Sequence, residues 1–166
     1  MSRASLLLLI FAPTLCYSEP PTIGEPWQLV RQVDQSSIWQ LRGNPNVVGT
    51  YQSEKTTKPL NWAQIQSKEF FQKLAEQKSK ILKLIGISNW TPSQYSWAKG
   101  NGFYELNIEG EYTGSDGDLV KFSEVHIYKD QVTHQILFTR PNSIKLDPNM
   151  GKTFILSLKT KAIESP

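Results

Sequence analysis

The chain has 166 residues, 39% hydrophobic and 20% charged, the balance of an ordinary domain with a substantial core, which excludes a disordered chain. A formal charge of +3 is too even to predict nucleic-acid binding. A single cysteine, Cys16, excludes an internal disulfide framework.

Residues 1–18, MSRASLLLLIFAPTLCYS, read as a secretory signal peptide. Arg3 supplies the positive start, residues 6–15 the apolar centre, and Cys16 and Ser18 the small residues at −3 and −1 of a cut after Ser18. A membrane anchor would need about 20 apolar residues, and Pro13 interrupts a much shorter run. A lipid-anchored Cys16 is the alternative, although Leu15 before it is larger than that processing normally takes. The expected location is secreted or periplasmic, with no integral membrane segment once the signal is gone. Losing Arg3 lowers the charge to +2, and losing Cys16 removes thiolate metal sites and cysteine nucleophiles.

Residues 19–26, with Pro20, Pro21, Gly24 and Pro26, read as an extended linker, and residues 27–166 as one domain. Trp27–Val33 alternates, Asp34-Gln35-Ser36 is a turn signal, and residues 37–41 make a second short strand, giving an N-terminal hairpin. Residues 43–46 break it, 47–52 form another strand, and the polar run 53–59 is a loop. Residues 61–86 carry the long helix. Asn61 with Gln64 three residues on resembles a capping box, Ser67 is the alternative cap, and Gly86 is the stop. Phe70, Phe71, Leu74, Ile81, Leu82 and Ile85 fall near one face. Lys68, Lys73, Lys80 and Lys83 lie mostly elsewhere, mixed with Glu69, Glu76 and Lys78, as on a solvated face.

Residues 87–102 read as a loop rich in aromatics and turn formers, containing Trp90, Tyr95 and Trp97. Within it Asn89-Trp90-Thr91 matches a glycosylation triplet, a pattern common by chance. Residues 103–140 form an antiparallel meander. Its first connection contains Gly114 and Gly117, and its second is a tight turn centred on Lys129-Asp130 that pairs Tyr128 with Gln131. One face then carries Phe122, Glu124, His126, Tyr128, Thr133, Gln135 and Leu137, half polar and the wetter side. The other carries Val125, Ile127, His134, Ile136 and Phe138, the face expected beneath the long helix. Asp147-Pro148 starts a short C-terminal helix bearing Met150, Phe154 and Leu158, and residues 159–166 fray.

Two surfaces carry candidate chemistry. If Glu105, Glu109 or Glu111 shares a face with Glu124 and His126, carboxylates and an imidazole converge, enough for acid–base work or a divalent metal. A solvated sheet face with cross-strand hydrogen bonds is the ordinary reading of the same residues. His126 and His134 point to opposite faces and cannot share a metal. Trp90, Tyr95 and Trp97, with Trp62, either line a groove for a ligand or partner or seal the end of the core. Motifs for a nucleophile elbow, a phosphate loop or a zinc protease are absent, and no cofactor or metal is expected.

The run NIEGEYTGSDGDLVKF, then HQILFTRP, then FILSLK resembles the secreted PsbP-like α+β domains, by pattern and without a specific motif. Residues 137–141 match the last long strand of that family, and Phe154 and Ser157 the closing pair of its final helix. The N-terminal hairpin with Trp27 and Trp39 departs from it. The resemblance implies a non-catalytic accessory or binding domain outside the cytoplasm. A cystatin-like helix-on-sheet fold fits the same element order.

The sequence therefore predicts an α+β fold. Its antiparallel sheet, an N-terminal hairpin plus a C-terminal meander, packs against one long helix and a short C-terminal one. The expected function is an exported, non-enzymatic accessory or binding domain for an unknown protein or small molecule. Trp90, Tyr95, Trp97, Glu124 and His126 are its contact residues. A small hydrolase or metal-dependent enzyme using Glu124 and His126 is the competing class.

Overall fold

The alternating strands of the N-terminal region and the second half assemble into one seven-stranded antiparallel sheet with helices on both faces, in a computed structural model that describes residues 22–58 and 60–164. The signal-peptide reading and Cys16 fall outside the described residues, as does the start of the linker. Chain order gives strands β1 (Trp27–Val33), β2 (Ser36–Leu41) and β3 (Asn44–Lys55), then helices α1 (Trp62–Ile65) and α2 (Lys68–Leu84). Strands β4 (Ser88–Lys99), β5 (Phe103–Thr113), β6 (Leu119–Lys129) and β7 (Val132–Pro141) follow, and helix α3 (Pro148–Glu164) closes the chain. The order across the sheet is β1-β2-β3-β7-β6-β5-β4, so the N-terminal strands join the meander through its last strand. Among the described residues no helix is long and apolar enough to cross a membrane.

Both candidate caps are used. Asn61 closes a complete capping box with Gln64 on the four-residue α1, and the Ser67 hydroxyl accepts from the Phe70 amide to start α2. The predicted single helix is thus two. Strand β3 runs to Lys55, beyond the predicted end. Helix α3 is as long as α2, 17 residues each, rather than short. Its last turns do not fray, because Ala162 is buried, Lys159 meets Glu105 at 2.5 Å, and Lys129 donates to the Ile163 carbonyl at 2.8 Å. At its start the Asp147 carboxylate accepts from the Asn149 amide at 2.9 Å. In the linker region Ile23 packs on the core and the Trp27 amide bonds back to Gly24.

The predicted aromatic loop is an edge strand. β4 pairs with β5 along its length, with irregularities at Ser88/Thr91 and Pro92/Gln94. These absorb Asn89, which has a positive φ of 52°, and Pro92, whose missing N–H is tolerable at an edge. Gly110 lets the bulged strand pass, since a Cβ there would lie 2.3 Å from the Thr91 carbonyl oxygen.

The β6–β7 turn holds Asp130 and Gln131, with Asp130 at φ 53° and Lys129 opposite Val132. Tyr128 therefore pairs with Thr133, not Gln131, and His126 with Gln135. The register differs by two residues from that expected, and an even shift preserves the faces. The helix assignment is reversed, however. α2 covers Leu106, Ile108, Phe122, Tyr128 and Leu137, the half-polar face. α3 covers Val125, Ile127, Ile136 and Phe138 together with Trp27, Trp39 and Val47.

Phe154, 1% exposed, lies among Trp27 (centroids 4.5 Å apart), Trp39 (5.9 Å) and Phe138 (6.3 Å). It rests on Gly49, where a Cβ would be 2.0 Å from its Cζ. The ring is walled in and cannot swing aside, so Gly49→Ala is expected to cost about 1–3 kcal/mol by overpacking. Trimming the ring in Gly49→Ala/Phe154→Leu is expected to return part of that loss. Urea unfolding midpoints of the three proteins check this, and an unchanged midpoint in Gly49→Ala overturns it.

Candidate functional site

α2 puts Phe71, Lys78 and Leu82 on its buried side. Lys78, only 7% exposed, stands over the polar centre of the sheet, where its ammonium pairs with the Glu124 Oε2. The other carboxylate oxygen, Oε1, lies 2.7 Å from His126 Nε2 and accepts from Gln135 Nε2 at 2.5 Å. Glu124 is 1% exposed and His126 5%. Burial by itself would push the Glu124 carboxyl up. The Lys78 ammonium beside it, with the hydrogen bonds from Lys78 and His126, outweighs it and holds the group well below the usual carboxylate range. An ionised Glu124 can only accept, so the proton on the shared edge of His126 sits on Nε2. Tyr128, beside this network, is kept a neutral phenol by burial and by the Glu124 charge.

Beside α2 the sheet opens into a cleft of about 440 Å³. Phe70, Lys73, Leu74 and Gln77, one face of the helix at i, i+3, i+4 and i+7, form its wall. His126 and Tyr128 from β6, Thr133 and Gln135 from β7, and Gln52 and Glu54 from β3 form its floor. The Lys78–Glu124 network thus reaches the cavity through two residues, His126 and Gln135.

The predicted site residues divide into two groups. His126 lines the cleft, and Glu124 lies beneath it, so the half-polar face is not an exposed contact surface but a buried layer under α2. Trp90, Tyr95 and Trp97 do not line the cleft. Trp90 stacks on Phe122 at 5.6 Å, Tyr95 stacks on Phe71 at 3.8 Å, and Trp97 stands edge-on to Phe71 at 6.4 Å. They seal α2 against the β4 end of the sheet, with the Lys78 ammonium 5.7 Å from the Trp90 ring centre. The expected convergence of carboxylates fails on register. Glu105, Glu109 and Glu111 lie opposite Ile127, Ser123 and Lys121, on the face away from Glu124 and His126. Among the described residues no group of three His, Cys, Asp or Glu is placed to hold a metal ion. Lys78, read as part of a solvated face, is instead the buried counter-charge.

The chain matches no family model and no curated protein. Among solved structures it is similar to a protein of unknown function, PA94 from Pseudomonas aeruginosa, at 12% identity over 87% of each chain with a TM-score of 0.44.

His134 lies on the opposite face, as predicted, with its Nδ1 2.8 Å from the Tyr51 hydroxyl. Burial first, then the nearby Lys129 charge, push it down to about 4 from 6.5. The unfolded chain therefore binds the proton more readily. Stability from the neutral ring is complete above 6.5 and is lost as pH falls toward 4. With some solvent contact allowed for, the effect is about 1–2 kcal/mol. Unfolding midpoints are expected to fall between pH 7 and about pH 5, above most carboxylate titration, and to fall less in His134→Gln. Equal slopes in the two proteins overturn the assignment.

Lys78→Met leaves Glu124 buried without its main counter-charge and is expected to cost roughly 3–5 kcal/mol. Lys78→Met/Glu124→Leu removes both charges and is expected to recover most of it. Calorimetric or urea stabilities of the pair decide this, and an additive loss in the double variant contradicts the pairing.

Proposed function

We propose that this chain is an exported, non-enzymatic binding domain whose ligand enters the cleft between α2 and strands β6, β7 and β3. One observation carries the reading: His126 lines a cavity while a buried carboxylate beneath fixes its orientation and tautomer. A buried ion network is costly to build, and here it holds one imidazole at the edge of a cleft of ligand size. The leader-like residues 1–18 support export. The resemblance to secreted PsbP-like domains supports an accessory role.

Acid–base catalysis by Glu124 and His126 fits the geometry less well. Glu124 spends both oxygens on Lys78, His126 and Gln135 and does not line the cleft. The cleft lining contains no serine or cysteine to serve as the nucleophile of a hydrolase.

Native mass spectrometry of the chain from its own extracytoplasmic fraction tests the proposal. The wild type is expected to carry a discrete small added mass that is lost on denaturation. His126→Ala, which leaves Glu124 its bonds to Lys78 and Gln135, is expected to fold and to arrive largely bare, whereas Trp97→Phe retains the mass. A bare wild-type monomer, or full retention by His126→Ala, rules out this site.

A further inference from the structure

The floor of the cleft is two cross-strand rows. Gln52 on β3 lies opposite Gln135 on β7, which lies opposite His126 on β6. One step along, Glu54 lies opposite Thr133 and Thr133 opposite Tyr128. Glu124 sets the polarity of the first row from below. It takes the Nε2 proton of His126 and the amide nitrogen of Gln135. What these two side chains keep for the cleft is Nδ1 of His126 and Oε1 of Gln135. Neither atom has a hydrogen-bond partner among the described residues, and neither is fully enclosed, since the one enclosed side-chain atom without a partner is Trp97 Nε1. Two adjacent lone pairs therefore face the cavity. The Gln135 amide cannot flip to offer N–H without breaking its bond to Glu124.

Charge points the same way. Lys78 is matched by Glu124, and Lys73 at the wall is matched by Glu69 at 2.8 Å. Glu54, exposed at the rim, takes part in no ion pair among the described residues. The cleft thus carries one unmatched negative charge beside its acceptor pair. The remaining lining is mixed: Gln52, Gln77 and Thr133 are polar, while Phe70, edge-on to Tyr128 at 5.9 Å, and Leu74 supply an apolar patch.

We propose that the cleft takes an organic nitrogen cation, an amidinium, guanidinium or primary ammonium group on a flat apolar body. This rests on the ligand-binding reading above and adds the chemical class. The paired N–H donors of the cation meet Nδ1 of His126 and Oε1 of Gln135, its charge is met by Glu54, and its apolar body lies against Phe70, Leu74 and Tyr128. At the His126–Gln135 pair an anion would meet two lone pairs, and the cation of the lining, Lys73, is already paired with Glu69.

The test is an NMR titration of the full mature chain with three ring compounds of similar size: benzamidine, benzyl alcohol and benzoate. Benzamidine is expected to shift the His126, Gln135 and Phe70 signals saturably, with no saturable shift from benzoate. Glu54→Gln, at an exposed position that does not support the core, is expected to weaken benzamidine roughly fivefold to tenfold, and Gln135→Leu about tenfold or more. Equal or tighter binding of benzyl alcohol or benzoate at the same residues overturns the cation assignment and leaves the cleft a binding site. An unchanged Kd in Glu54→Gln also overturns it. No shift with any of the three overturns it too, and the cleft reading is then decided separately by the mass retained on the native chain.

Discussion

A carboxylate sealed between a helix and a sheet dictates the arrangement of this protein. Glu124 sits at 1% exposure in the middle of a strand, where an uncompensated charge would be prohibitive. Three side chains from three elements resolve the problem: Lys78 from α2, His126 from the same strand, and Gln135 from β7. Replacing such a network by apolar residues is often neutral or favourable, so its value lies less in net stability than in specification. Only one placement of α2 brings Lys78 over Glu124, and that placement selects the sheet face the helix covers.

The cleft follows from where α2 then lies. The helix packs over β4, β5 and β6 through Phe71, Leu82 and the β4 aromatics, leaving Thr133 and Gln135 of β7 and the neighbouring part of β3 open on that face. α3 covers the other face, over β6 and β7 and toward Trp27, Trp39 and Val47. Two helices of equal length, one per face, do not cover seven strands, and the step at the edge of α2 forms the cavity wall. His126 stands at that step, with its inner nitrogen in the charged network and its outer nitrogen toward the opening.

Much of the architecture is written in local pattern. The hairpin, the meander, both candidate caps and the Asp147-Pro148 helix start are each signalled within a few residues, because turn and cap chemistry acts at that range. β4 was hidden because Asn89, Pro92 and the run of aromatics imitate a loop, and only edge position with two bulges reconciles them with pairing. The faces of β6 and β7 are legible and survive a two-residue error in register, since side-chain direction repeats every second residue. Which helix covers which face is not legible from hydrophobicity, because the polar face is the one buried under α2. A signal was present nonetheless. Lys78 lies between Phe71 and Leu82 on the buried stripe of the helix, and Glu124 and His126 lie within an alternating strand. A basic residue in an apolar stripe and an acidic one in a strand interior are complementary misfits, each explaining the other. The cleft itself depends on long-range geometry and left no local trace.

The sheet order also sets the sequence of events in self-assembly. The meander can zip up from neighbours, but β1, β2 and β3 join its sheet only through the β3–β7 pairing, with contacts such as Tyr51 to His134 that are 83 residues apart. Closing a loop of that length is entropically costly before any contact rewards it. The pocket for Phe154 is completed by Gly49, Trp27 and Trp39, so the two ends of the domain mature together. A chain that emerges from its N-terminus first must carry its opening hairpin without a partner edge until nearly the whole domain has followed. That interval of exposed strand is when this fold is most open to capture by a chaperone or by another copy of itself.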